Sequence, residues 1–151
     1  MKIRDMKKGD IESAVKIIEL NYDKKEAVEI GNEIKTMFMD LPVKPSYIVA
    51  VDEKNNELLG YGGFIQSMMS YGIYEMFSIN VHPKHQGKGI GTEISTNLIK
   101  KIKLLEGENK KAYRITLTCK QRLKNFYSKF GFRSIEDFDK KRDNLMILDL
   151  E

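Results

Sequence analysis

The apolar residues of this chain change period several times, and each change marks an element. Residues 2–6 read as a short opening strand. After Asp10, a predicted N-cap, Ile11, Ala14, Val15 and Ile18 recur at helical spacing. Asp23 and Glu26 have capping-box spacing and open a second helix carrying Ala27, Ile30, Ile34, Met37 and Phe38, which Leu41-Pro42 ends. Residues 47–51 form a continuous apolar run of strand length. A turn over 52–56 leads to a longer strand from Leu58 to about Met69. Ser70-Tyr71-Gly72 turns the chain into a strand over 74–81, and these three strands most simply make an antiparallel meander. Ile90, Ile94, Leu98, Ile102 and Leu105 mark one face of a third helix. Residues 113–119 alternate and are rich in strand formers. Residues 121–129 form a short helix stopped at Gly131, a suitable C′ residue, and 132–135 and 145–150 are the last strands. The predicted order is β-α-α-β-β-β-α-β-α-β-β.

Composition narrows the class. At 151 residues with 41% hydrophobic content, the chain suits one globular domain over 1–151 with a core of its own. The N-terminus is basic with no apolar stretch behind it, so neither a signal peptide nor a membrane span is expected. The single cysteine, Cys119, allows no intrachain disulfide, which fits a cytoplasmic location. With two histidines and one cysteine, a metal site is not expected. The 26 basic and 22 acidic residues give a net charge of +4, read as a mixed-sign solvated surface or as a field that attracts anions. Lys100, Lys101, Lys103, Lys110 and Lys111 cluster in sequence, but no aromatic residues interleave with them, which counts against a nucleic-acid partner.

The chemistry concentrates at His82-Pro83-Lys84-His85-Gln86-Gly87-Lys88-Gly89-Ile90-Gly91. A strand running through a glycine-rich loop into a helix offers backbone N–H groups and the positive end of the helix dipole to an anion. No Lys-Ser or Lys-Thr follows the glycines, so the run is no P-loop, and it lacks the third glycine of a dinucleotide fingerprint. The spacing that fits is Q-x-x-G-x-G, through Gln86, Gly89 and Gly91; a plain glycine-rich turn is the other reading. This motif resembles the acyl-CoA pyrophosphate loop of the GCN5-related N-acetyltransferases, the GNAT superfamily. The element order matches that fold from end to end, and Tyr127-Ser128-Lys129-Phe130-Gly131-Phe132 resembles the family's Y-x-x-x-G-F signature.

The resemblance implies a single α/β (α+β) domain whose mixed central sheet of about seven strands is flanked by about four helices. It implies acetyl-CoA as cosubstrate and an amine as acceptor. Gln86, Gly87, Lys88, Gly89, Ile90, Gly91 and Thr92 would hold the pyrophosphate. Ile79, Asn80 and Val81 would lie on a bulged strand whose backbone amides face the pantetheine arm and the thioester oxygen. Tyr127 matches the residue that protonates the leaving thiolate, a packed aromatic being its alternative. Glu75 matches a strand carboxylate that serves as base, a solvent-facing glutamate being its alternative. Glu26, Glu29, Glu33 and Asp40 lie in or beside the helix that usually walls the acceptor. Many relatives carry Asn seven residues before the tyrosine; here that position is Lys120, which would reach a CoA phosphate instead. His82 and His85 read as loop residues. Cys119 reads as a small buried residue, with no adjacent histidine to activate it. Relatives often dimerise through their last strands, which extends to this chain the expectation of a homodimer.

The expected activity is N-acetylation of a primary amine by direct attack in a ternary complex. The acceptor stays open among small amines, antibiotics, amino acids, polyamines and protein amines. The alternatives are a GNAT-like acyl-CoA sensor or subunit without turnover, and a basic RNA-associated protein.

Overall fold

The computed structural model describes residues 1–135 and 142–150. Its seven strands are β1 (Lys2–Asp5), β2 (Ser46–Val51), β3 (Leu58–Gln66), β4 (Ile73–Val81), β5 (Arg114–Cys119), β6 (Arg133–Ser134) and β7 (Asn144–Asp149). The helices are α1 (Ile11–Asn21), α2 (Lys24–Lys35), α3 (Ile90–Lys103) and α4 (Lys124–Ser128). One mixed sheet runs β1-β2-β3-β4-β5-β7-β6, with β4 and β5 parallel and every other pair antiparallel. The predicted order and meander therefore stand. No described helix is long and apolar enough to cross a membrane.

Two apolar clusters, one on each face of the sheet, hold the layers together. α1 and α2 bury Ala14, Ile17, Ile18, Ala27 and Ile34 against Tyr47, Val49, Val51 and Tyr61. On the opposite face, α3 buries Ile90, Ile94, Leu98 and Ile102 against Ile48, Ala50, Leu59, Tyr74 and Met76. Each such side chain contributes about 1.5–3 kcal/mol when fully buried, so α3 is tied to the sheet along the stripe its sequence period predicts.

The close approach of α3 depends on glycines in β3. A Cβ at Gly62 would stand 2.9 Å from Ile94 Cγ2 and 3.0 Å from both Ile79 Cγ1 and Leu98 Cδ1. Gly62→Val should therefore cost about 1–3 kcal/mol by overpacking. A lower urea midpoint with unchanged slope would register that loss, and an unaltered midpoint would show that α3 gives way freely.

Local departures from the sequence reading have physical causes. Asp10 does not cap α1: it is itself in helical conformation, and its carboxylate takes two hydrogen bonds from Arg4, at 2.7 and 3.0 Å, and one from the Lys7 N–H at 2.7 Å. The Arg4 pairing and the Lys7 N–H outweigh burial and hold its carboxyl below the usual range. Asp23 does cap α2, accepting from the Glu26 N–H at 2.8 Å. The helix gives way to a 3-10 turn over Thr36–Phe38, short of the predicted Leu41. β3 stops at Gln66 because Met68 and Met69, though apolar, stand 85% and 94% exposed at the tip of the β3–β4 hairpin. The helix expected over 121–129 is a 3-10 turn, Gln121–Leu123, followed by the short α4.

Candidate functional site

The site is organised by the second half of β4. Its pairing with β5 covers Ile73↔Arg114, Tyr74↔Ile115 and Glu75↔Thr116 and ends there, so the two parallel strands fork beyond Glu75. On its other edge, Gly63 faces Phe77 but Tyr61 faces Asn80. Ser78 and Ile79 thus stand opposite the single Gly62: a β-bulge, with Ser78 at φ +55°. A non-glycine residue at positive φ carries local strain, and here it lies where the sheet opens. The bulge turns the backbone beside a gap that no strand fills.

β4 then runs directly into the glycine loop. A 3-10 turn, Pro83–His85, leads to Gly87 at φ +75° and Gly89 at φ +82°, and Gly89 is the N-cap of α3. The first intrahelical bond runs from the Glu93 N–H to the Gly89 carbonyl at 3.0 Å, so the amides of Ile90, Gly91 and Thr92 belong to the turn that has no partner within the helix. A Cβ at Gly87 or Gly89 would meet nothing within 4 Å. The open space is a hollow of about 360 Å³ lined by Val81, His85, Gln86, Gly87, Gly89, Ile90, Gly91, Thr92 and Phe126. A concave backbone cradle with a helix dipole behind it fits a pyrophosphate.

Tyr127 lies across the sheet from α1 and α2, in the cluster under α3. Its ring packs edge-to-face on Phe126 at 4.9 Å and Phe132 at 6.2 Å. Burial, with lesser contributions from Cys119 and Tyr22, pushes its phenol well up, so it keeps its proton over any ordinary pH. Glu75, at the last paired position before the fork, is exposed. Strand alternation puts it on the same face as Phe77, which packs toward the α1/α2 cluster. Tyr127 and Glu75 are therefore on opposite faces of the fork.

The remaining sequence candidates are placed as follows. Ile79 and Val81 pack against the α3 cluster, and Asn80 is buried. Lys88 is exposed on the loop. Lys120, at the end of β5, lies outside the hollow with its ammonium 2.9 Å from Asp143 Oδ1. His82 Nδ1 accepts from the Lys84 N–H at 3.1 Å within the loop, and His85, which lines the hollow, has its Nε2 3.5 Å from Glu57 Oε1. Cys119 is buried 3.7 Å from the Met146 sulfur, and burial, with Asp143, pushes its thiol up. That is an unreactive setting.

Two residues escape the sequence reading. Phe126 has no role there beyond its place in the predicted 121–129 helix, yet it walls the loop hollow. Asn21, at the end of α1, donates through Nδ2 to Asn80 Oδ1 at 3.3 Å and to the Val81 carbonyl at 3.1 Å, and its Oδ1 accepts from Gln86 Nε2 at 3.2 Å. Gln86 Nε2 also donates to the Val81 carbonyl at 3.1 Å. The glutamine of the Q-x-x-G-x-G run thus fastens the loop to β4 and α1.

Residues 44–134 match the family model described as an acetyltransferase (GNAT) domain. No curated protein matches the chain. Among solved structures, a GNAT-family protein from Desulfovibrio desulfuricans is 17% identical with a TM-score of 0.81, the match covering 99% of this chain and 98% of that one. An aminoglycoside 6'-N-acetyltransferase complexed with coenzyme A is 16% identical with a TM-score of 0.78, over 99% and 97% of the two chains. The PaiA N-acetyltransferase of Thermoplasma acidophilum, in complex with coenzyme A, is 18% identical with a TM-score of 0.73, over 99% and 98%.

Proposed function

The chain belongs to the GNAT acetyltransferase family, and from that premise we propose that it transfers an acetyl group from acetyl-CoA to a primary amine by direct attack within a ternary complex. The observation that carries this reading is the course of β4, which forks from β5 after Glu75, bulges at Ser78 and leads through the Pro83–His85 turn into the glycine cradle. One strand thereby lines up a slot, a bent run of backbone and an anion site along a single path. A long ligand with a thioester at one end and a pyrophosphate further along suits such a path.

In this reading the amides of Gly87 to Thr92 hold the pyrophosphate, Lys88 adds charge and Gln86 keeps the loop in place. Backbone at Ile79, Asn80 and Val81 pairs with the pantetheine arm and offers an amide to the oxygen that gains charge as the amine attacks. Lys120 contacts a CoA phosphate by exchanging Asp143 for the anion, a cheap exchange because exposed ion pairs contribute little. Acetyl-CoA supplies the activated acyl group; the protein's part is positioning, desolvation and proton handling.

Two side chains move protons. An alkylamine, of pKa about 10.4, is mostly protonated at neutral pH and must lose a proton before it attacks. Glu75, at the mouth of the fork, takes that proton directly or through one water. Tyr127, kept protonated by burial, delivers its phenolic proton to the leaving thiolate. Glu75→Gln should lower kcat/KM about 10²–10⁴-fold at pH 7. The deficit should shrink as pH rises toward the amine's own pKa, where free base no longer needs a catalyst. A deficit constant across pH would remove Glu75 from this role.

The direct test is calorimetric titration with acetyl-CoA and with free CoA, followed by thiol release in the presence of amines. Binding on the order of micromolar is expected for acetyl-CoA. A folded protein that fails to bind it would overturn the reading, and binding without release for any amine would reduce the protein to a sensor.

A further inference from the structure

The packing of α3 is incomplete at its C-terminal end. Ile94, Leu98 and Ile102 are buried against the sheet, but Leu104, the C-cap residue, is 68% exposed and Leu105 is only partly buried. Lys100 and Leu104, one turn apart, form a ridge with a hollow on each side. One hollow, of about 430 Å³, opens between α3 and β1. Ile3, Ile48 and Leu105 give it an apolar lining, and Asn97 and Lys101 flank it on the helix. The other, of about 420 Å³, opens toward Phe130 and is lined also by Thr96, Ile99 and Lys103. A ridge of residues four apart between two grooves is the surface on which a second helix packs. No residue of these hollows lines the glycine cradle.

Charge narrows the kind of helix. Lys100 and Lys103 are exposed and have no ion-pair partner among the described residues, whereas Lys101 pairs with Asp5. Asp5 is the only carboxylate among the described residues lining the two hollows. The lysines that cluster in sequence therefore form a positive margin around mostly aliphatic hollows. A second copy of the chain presenting the same face would bring these lysines against each other, which repels. A bilayer is flat, so it would meet Leu104 and leave both hollows unfilled. An acidic helix with an apolar stripe satisfies both the shape and the charge.

We propose that the C-terminal half of α3 docks an acidic amphipathic helix of a partner protein. Apolar side chains of that helix, spaced three and four apart, fill the hollows on either side of Leu104, and its carboxylates meet Lys100 and Lys103. The hollows supply adhesion, and the unpaired ammonium groups supply orientation and a faster encounter. The inference does not depend on the acetyl transfer proposed above, because the ridge begins about 16 Å along the helix from Gly89.

The probe is a synthetic peptide of about 18 residues, long enough to form a helix, with leucines on one face and glutamates on the other; a second peptide has lysines in place of the glutamates. Fluorescence anisotropy follows their binding to wild type, Leu104→Asp, Lys100→Glu/Lys103→Glu and, as a control on α2, Lys24→Glu/Lys25→Glu, each shown to be folded by circular dichroism. Wild type should bind the glutamate peptide with a Kd on the order of 10 µM at about 50 mM salt, and about fivefold more weakly at about 300 mM. Leu104→Asp and the Lys100/Lys103 reversal should each weaken it about tenfold or more, and the α2 control should stay within about twofold. The reversed variant should gain affinity for the lysine peptide, which mere damage to the surface would not produce. Acetyl-CoA should bind equally well with the peptide present. Failure of wild type to bind the glutamate peptide, or binding indifferent to Leu104 and the two lysines, would overturn the inference. So would displacement of the peptide by acetyl-CoA, which would give the hollows to the cosubstrate. A wild-type dimer in sedimentation that Leu104→Asp dissociates would give the face to a second copy and overturn it too, as would lysine-dependent binding to phosphatidylglycerol vesicles in place of the peptide. Folded wild type that holds the peptide but not acetyl-CoA would remove the functional reading and leave this inference standing.

Discussion

Gly89→Val should abolish acetyl-CoA binding in a protein that still folds. Two effects combine. Gly89 is the N-cap of α3 at φ +82°, in the left-handed region, where an L-residue costs about 1–2 kcal/mol and a β-branched one is a steric outlier. The substituent also projects where nothing lies within 4 Å, the space the pyrophosphate needs. The conformational strain is a modest part of a typical stability of about 5–15 kcal/mol, so the fold should survive. The loss of space should cost at least about 100-fold in affinity, a penalty of about 2.7 kcal/mol. Calorimetry on the variant, with circular dichroism as the folding control, measures this. Gly89→Ala should fall between the two, because its single methyl keeps the strain but blocks less of the cradle. Undiminished affinity in folded Gly89→Val would refute the assignment of the loop.

Tyr127→Phe should slow turnover about 10²–10⁴-fold while leaving acetyl-CoA affinity near its starting value. The substitution keeps the ring that packs on Phe126 and Phe132 and removes only the oxygen, so structure and binding are spared. Because burial pushes the phenol up, Tyr127 stays protonated across the working range, and the wild-type rate should not fall at alkaline pH on its account. The variant's pH profile should therefore keep its shape and lose only height. Steady-state thiol release from pH 6 to pH 9, paired with calorimetry, separates these quantities. Equal kcat would remove Tyr127 from the chemistry and leave it a packing residue.

Element order was legible because each helix and strand writes its period into the apolar positions, and α3 is the clearest case, with Ile90, Ile94, Leu98 and Ile102 all buried as their spacing predicts. The glycine loop was equally legible, since positive φ at Gly87 and Gly89 demands the residue type that marks it. What stayed hidden depends on contacts across the chain. Asp10 has the chemistry of a cap but is claimed by Arg4 on β1. Met68 and Met69 look like strand interior but project from a hairpin tip. The bulge at Ser78 leaves no compositional mark, because serine at that position fits a regular strand equally well. Asn21 reads as an ordinary helix-end polar residue; its partners lie 59 to 65 positions further on, beyond any local pattern.

The two apolar clusters on opposite faces of the sheet do not merge. The glycine-loop hollow and Tyr127 adjoin the α3 side, whereas α1 and α2 rest on the other. For protein engineering this amounts to two separately adjustable modules sharing one rigid partition. Substitutions confined to the α1/α2 face leave the packing beneath α3 untouched. The same partition lets the packing of one face drift without a matching change in the packing of the other, the Asn21–Gln86 link being the exception.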